Sequence, residues 1–147
     1  MYKVQEMAEN RKAVKDRLIS YRTKEMIEHL IRLIIFNSPK NKNHWRGEVY
    51  GLLNDIPLMK HNKKPPNRNF IFQTIWEYYG DRLDYLTESV LRQEPKEKLK
   101  TDKKISDFAD EIYIKVKDYV FWLSKELSEK AVVTKQEVYN KLEELEL

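Results

Sequence analysis

The chain has 147 residues, 41% apolar, 35% charged and 12% aromatic, with a net charge of +4. That length suits one domain around one core, and so high an aromatic content excludes a disordered tail. Only three glycines (Gly47, Gly51, Gly80) and no cysteine argue against a turn-rich all-β domain or a Gly-rich phosphate cradle. They also remove disulfides, thiolate metal sites and cysteine nucleophiles.

The stretch before Leu18 has no apolar run of signal-peptide length. The most apolar window, Met26–Phe36, is eleven residues interrupted by Glu28, His29 and Arg32. A transmembrane helix needs about 20 apolar residues, so this reads as a core helix. A cytoplasmic protein with no membrane partner is expected.

Residues 3–36 lack Gly and Pro and read as helix. A straight helix of that length would span roughly 50 Å, against roughly 40 Å for a compact domain of this size. It therefore bends near Ser20–Thr23, where propensity is weakest, or it protrudes. Its first part carries a thin stripe of Val4, Met7, Ala8, Val14 and Leu18. Residues 1–20 are thus a candidate arm for a homodimer through the N-terminal helix. The second part, Ile27 to Phe36, is apolar nearly all round and belongs at the centre.

Asn37-Ser38-Pro39 ends that helix, and a polar loop runs to His44. A short helix is expected from Trp45 or Arg46 to Asp55, where Gly47 and Gly51 would permit close approach of another helix. Pro57 stops it, and a basic connection, Leu58 to Asn69, follows with Pro65-Pro66 inside it. A third helix runs from about Phe70 to Gln93 on the stripe Phe72, Ile75, Trp76, Tyr79, Leu83, Leu86 and Val90, with continuity or a mild kink at Gly80. Residues 94–104 form a charged linker. A fourth helix opens near Ser106, with Ile105, Phe108, Ile112, Val116, Tyr119, Val120, Leu123 and Leu127 as its core stripe. Thr134 and Glu137 have the spacing of a capping box for a last short helix through Val138, Leu142 and Leu145. The expectation is one all-α domain, 1–147, a compact bundle of about five helices.

The net charge hides an asymmetry. Residues 1–70 hold 15 Lys and Arg against 7 Asp and Glu, whereas residues 71–147 hold 13 against 17. The segment Asn37–Asn69 contributes Lys40, Lys42, Arg46, Lys60, Lys63, Lys64 and Arg68, with His44, Trp45, His61 and several asparagines among them. Lysine and arginine neutralise phosphates, asparagine bonds base edges or phosphate oxygens, and Trp45 or His44 could stack on an unpaired base. Solvated loops, with Trp45 anchoring the short helix, are the plain alternative. The first functional expectation is a non-enzymatic interaction protein whose basic surface binds nucleic acid or an acidic protein partner. An immunity or antitoxin-like partner protein is a third class.

Two other constellations involve histidine. Arg22 and His29 fit the outer limit of the Arg-x4–6-His spacing of a helical RNase family, in which the pair meets across a dimer and acts as acid or base beside the phosphate. Glu25 with His29, and His44 with Glu48, each place a carboxylate one turn from an imidazole, a spacing that could hold a divalent metal. Satisfied or exposed side chains are the plain reading of both. No cofactor motif is present. The run Phe70–Tyr79 reads as a core face with Tyr78 left over.

A long helix ending in His29-Leu30-Ile31-Arg32, a polar loop through Asn43, and a helix start at His44-Trp45-Arg46 form a sequence of motifs, with Tyr79-Gly80-Asp81-Arg82 as a later echo. Over residues 29–56 the chain resembles a bacterial family of helical proteins, domain of unknown function twenty-nine. The resemblance implies an all-helical fold and no known activity.

Overall fold

A computed structural model describes residues 11–36, 39–53, 56, 66–93, 105–130 and 132–147. Among these residues there are helices and connections but no strand. A leading helical segment covers residues 11–18. It is followed by α1 (Tyr21–Ile35), α2 (Pro39–Leu53), α3 (Arg68–Tyr79), α4 (Leu83–Gln93), α5 (Ile105–Glu129) and α6 (Lys135–Glu144). The leading segment and α1 make one bent rod, as do α3 and α4, so the expected bundle of about five helices is what forms. Residues 94–104, expected as a linker, lie outside the described residues, as do 1–10 of the expected arm.

The N-terminal helix bends by 37°, at the serine where propensity is weakest. Ser20 leaves the helical region (φ −65°, ψ 162°) and its side chain caps α1 through the Thr23 N–H. The carbonyl of Ser20 accepts the Tyr79 hydroxyl at 2.9 Å, so the bend is fastened to α3. Beyond it, Leu18 is fully buried and Val14 packs on the core. The described part of the thin stripe is therefore used within this chain.

The central elements are α1 and α5. Helix α1 packs on α2, α4 and α5, and α5 packs on α1, α3 and α4, while α6 closes the bundle against α2. Met26, Leu30 and Ile31 of α1 and Tyr119, Val120 and Leu123 of α5 are fully buried, each such side chain contributing about 1.5–3 kcal/mol relative to exposure. The capping box forms at Thr134 and Glu137, and Lys130 links the two helix ends by pairing with Glu126 at 2.6 Å and with Glu137.

Three expectations need correction. Helix α2 begins at Pro39, not at Trp45 or Arg46. Proline is well suited to the first helical position, where its missing N–H would have no partner anyway. The polar stretch to His44 is therefore the opening of a helix and not a loop. The glycines of α2 do not mediate close packing: a Cβ at Gly47 would meet only the Tyr139 hydroxyl, at 3.7 Å, and at Gly51 nothing within 4 Å. In α3 the buried stripe is Ile71, Ile75 and Tyr79, leaving Phe72 and Trp76 half-buried at the side. A 3-10 turn, Gly80–Arg82, then connects α3 to α4, and there a glycine leaves room for a close ring. A Cβ on Gly80 would lie 3.0 Å from the Trp76 indole.

Candidate functional site

The basic segment divides into parts with different fates. Lys60, His61, Lys63 and Lys64 lie outside the described residues. Lys40, Lys42, His44 and Arg46 all stand on α2. Lys40, Asn43 and His44 share one helix face by their i, i+3, i+4 spacing and are exposed, while Lys42 is half-buried. The side chains of Lys40 and Lys42 make no ion pair or hydrogen bond with another described residue. The first turn of α2 contains no acidic residue. From residue 11 to residue 53 there are ten Lys and Arg against four Asp and Glu, so the positive bias extends through the leading segment and α1.

Two of the expected binding residues are occupied inside the fold. Arg46 donates from Nε to the main-chain oxygen of Leu147 at 3.0 Å and lies over the Tyr139 ring. Arg68 opens α3, and its guanidinium stacks on Phe121 of α5 at 3.4 Å. Trp45 is buried at 5% exposure with its ring 5.9 Å from that of Phe36. It anchors the helix and offers no face to a base.

His29 is half-buried on α1. Its Nδ1–H donates to the Glu25 carbonyl at 2.7 Å. The Arg32 Nη1 lies 3.5 Å from the same nitrogen, and since both atoms are then donors this is proximity, not a hydrogen bond. Burial pushes the imidazole below its ordinary 6.5, with Arg32 adding to the effect, while the Glu25 carbonyl bond and the Glu48 and Glu25 charges oppose it. The ring is therefore neutral at pH 7, with Nε2 as its acceptor. The Glu25 carboxylate pairs with Arg22 at 3.5 Å. Arg22 and His29 stand about 10.5 Å apart along the helix axis, too far to act on one atom within a single chain. The metal alternative does not assemble: among the described residues no group of three or more His, Asp or Glu could hold an ion. Glu25 offers His29 its carbonyl and gives its carboxylate to Arg22, and His44 faces outward.

No protein-family model matches the chain, and no curated protein or solved structure matches it either. No helix among the described residues is long and apolar enough to cross a membrane.

A second surface was not legible in the sequence. Phe72 and Trp76 of α3 stack with ring centroids 6.1 Å apart, Phe121 meets Phe72 edge-on at 5.3 Å, and Tyr113 meets Trp76 edge-on at 5.4 Å. Lys117 lies over both Trp76 and Tyr113. Phe72, Tyr113, Ile114, Lys117, Asp118 and Phe121 line an apolar groove of about 450 Å³. The available signal was the offset of these aromatics from the buried stripes: Phe72 and Trp76 each follow a buried isoleucine, and Tyr113, Ile114 and Phe121 fall between the core positions of α5.

Proposed function

We propose that this chain is a non-enzymatic binding module whose basic face at the start of α2 engages an anionic partner, nucleic acid in the first instance. The observation that carries this reading is the charge at the opening of α2, where Lys40 and Lys42 stand and no acidic residue does. The N-terminus of a helix is the positive end of its dipole, so lysines there oppose helix stability and carboxylates would favour it. An external phosphate reverses that balance, because it meets the positive end of the dipole and lysine charge together. Asn43 and His44, exposed on the face of Lys40, add hydrogen-bond capacity beside it.

Electrophoretic mobility of labelled RNA and DNA in about 50 and about 200 mM salt tests the proposal, since phosphate contacts weaken steeply with salt. The shift should be present at low salt, lost at high salt, and abolished by Lys40→Glu with Lys42→Glu. No shift at low salt removes nucleic acid as the partner. An acidic or immunity-type protein co-purifying through the same two lysines then identifies the other class.

A second reading, RNA cleavage by Arg22 and His29 meeting across an N-terminal-helix dimer, is favoured by one observation: His29 is neutral and oriented through Nδ1, as a general base requires. Wild type should then degrade RNA and His29→Ala should not. Equal RNA integrity with both proteins rejects it.

A further inference from the structure

The outward face of α5 has a pattern that matches itself in reverse. Asp110, Ile114, Asp118, Phe121 and Lys125 are all exposed and recur every three or four residues, which places them along one side of the helix. Ile114 is 64% and Phe121 43% exposed, large values for apolar side chains in the middle of a 25-residue helix. Beside them runs the apolar groove that Phe72 walls from α3. No described part of the chain covers this face.

We propose that it is the contact surface for a second copy of this chain, packed antiparallel on α5. With the two-fold axis between positions 117 and 118, Ile114 meets Phe121 of the second copy, Lys117 meets its Asp118, and Asp110 meets its Lys125. Asp118 already accepts Lys141 of its own chain on Oδ1 at 3.1 Å, which leaves Oδ2 for the second cation. The axis repeats each pair. Each of these three side-chain pairs is then apolar on apolar or cation on anion. A parallel arrangement would instead set Asp110, Asp118 and Lys125 each against its own counterpart, juxtaposing like charges at every polar position. Antiparallel packing also aligns the two helix dipoles favourably. The rings beside the groove favour this occupant over a stack of unpaired bases. Arg68 already covers Phe121, and Lys117 already sits over Trp76 and Tyr113, so an aliphatic side chain such as Ile114 fits between them better than a base.

Sedimentation velocity of the full chain over a concentration series up to about 500 μM, with charge-reversal variants, tests the inference. The wild type should show a reversible dimer. Asp110→Lys and Lys125→Asp each replace two attractive pairs by two repulsive ones, and each should raise the dimer dissociation constant about tenfold or more. An equimolar mixture of the two variants should regain dimer. In the mixed pair the introduced lysine of one chain faces the introduced aspartate of the other, and the unaltered Lys125 of the first faces the unaltered Asp110 of the second. Ile114→Glu should be monomeric with an unchanged circular dichroism spectrum. A wild type that stays monomeric throughout overturns the proposal. So does a mixture that associates no better than its components, or an Ile114→Glu protein that dimerises like the wild type.

Discussion

Arg46 Nε and the main-chain oxygen of Leu147 lie 3.0 Å apart although the residues are separated by 101 positions in the chain. The bond holds the buried Leu147 and the end of α6 onto α2. It also splits the basic segment into charges that serve the fold and charges that do not.

Arg46→Ala is expected to cost about 2 kcal/mol, the range of a hydrogen bond from a charged donor with its acceptor left part-buried. Lys40→Glu should do the opposite and raise stability by about 0.3–1 kcal/mol, because it places a carboxylate in the first turn of α2. Denaturant unfolding of both variants checks the signs. Paired with the mobility measurements, it separates folding from binding: Lys40→Glu should fold better and bind worse.

Tyr79 and Tyr119 invite the same substitution with opposite results. The Tyr79 hydroxyl donates to the Ser20 carbonyl at the bend, and Tyr79→Phe leaves that carbonyl without this donor, an expected loss of about 1 kcal/mol. The Tyr119 hydroxyl is fully buried with no hydrogen-bond partner among the described residues, and burial drives its acidity far below that of an ordinary phenol. Tyr119→Phe removes an unsatisfied group without changing shape, so stability should stay level or rise by about 1 kcal/mol. Thermal or denaturant melts of the two variants decide both.

His29 gives the fold a pH dependence of known sign. Its folded-state pKa lies below 6.5 because burial disfavours the charged ring. The unfolded chain therefore binds the proton first as pH falls, and acid shifts the balance toward unfolding. The contribution of His29 is complete above about pH 6.5, declines as pH drops from there through the folded value, and is flat below it. Unfolding free energies at about pH 7.5 and about pH 5.5 should differ less in His29→Gln than in the wild type. An identical difference in the two proteins would contradict this account.

What the sequence determined by itself rests on local periodicity and local chemistry. The stripes of α1 and α5 and the Thr134–Glu137 cap follow from neighbours within a few turns, where side-chain spacing and hydrogen-bonding type suffice. The weak point at Ser20–Thr23 was legible too, but a bend and a protruding helix were both open until the Tyr79 hydroxyl was seen to fasten the bend. The start of α2 was a local question with a misleading answer, since Pro39 reads equally as a helix stop and as a first helical residue. Only tertiary structure could assign the side chains whose partners are distant. Arg46 belongs to the fold because Leu147 is beside it, Trp45 because Phe36 is, and Phe72 and Trp76 stay half-buried against Phe121 and Tyr113 while Ile71 and Ile75 fill the core. An arginine or an aromatic ring has the same local pattern whether it binds a ligand or a neighbouring helix, and packing between remote segments is what tells the two apart.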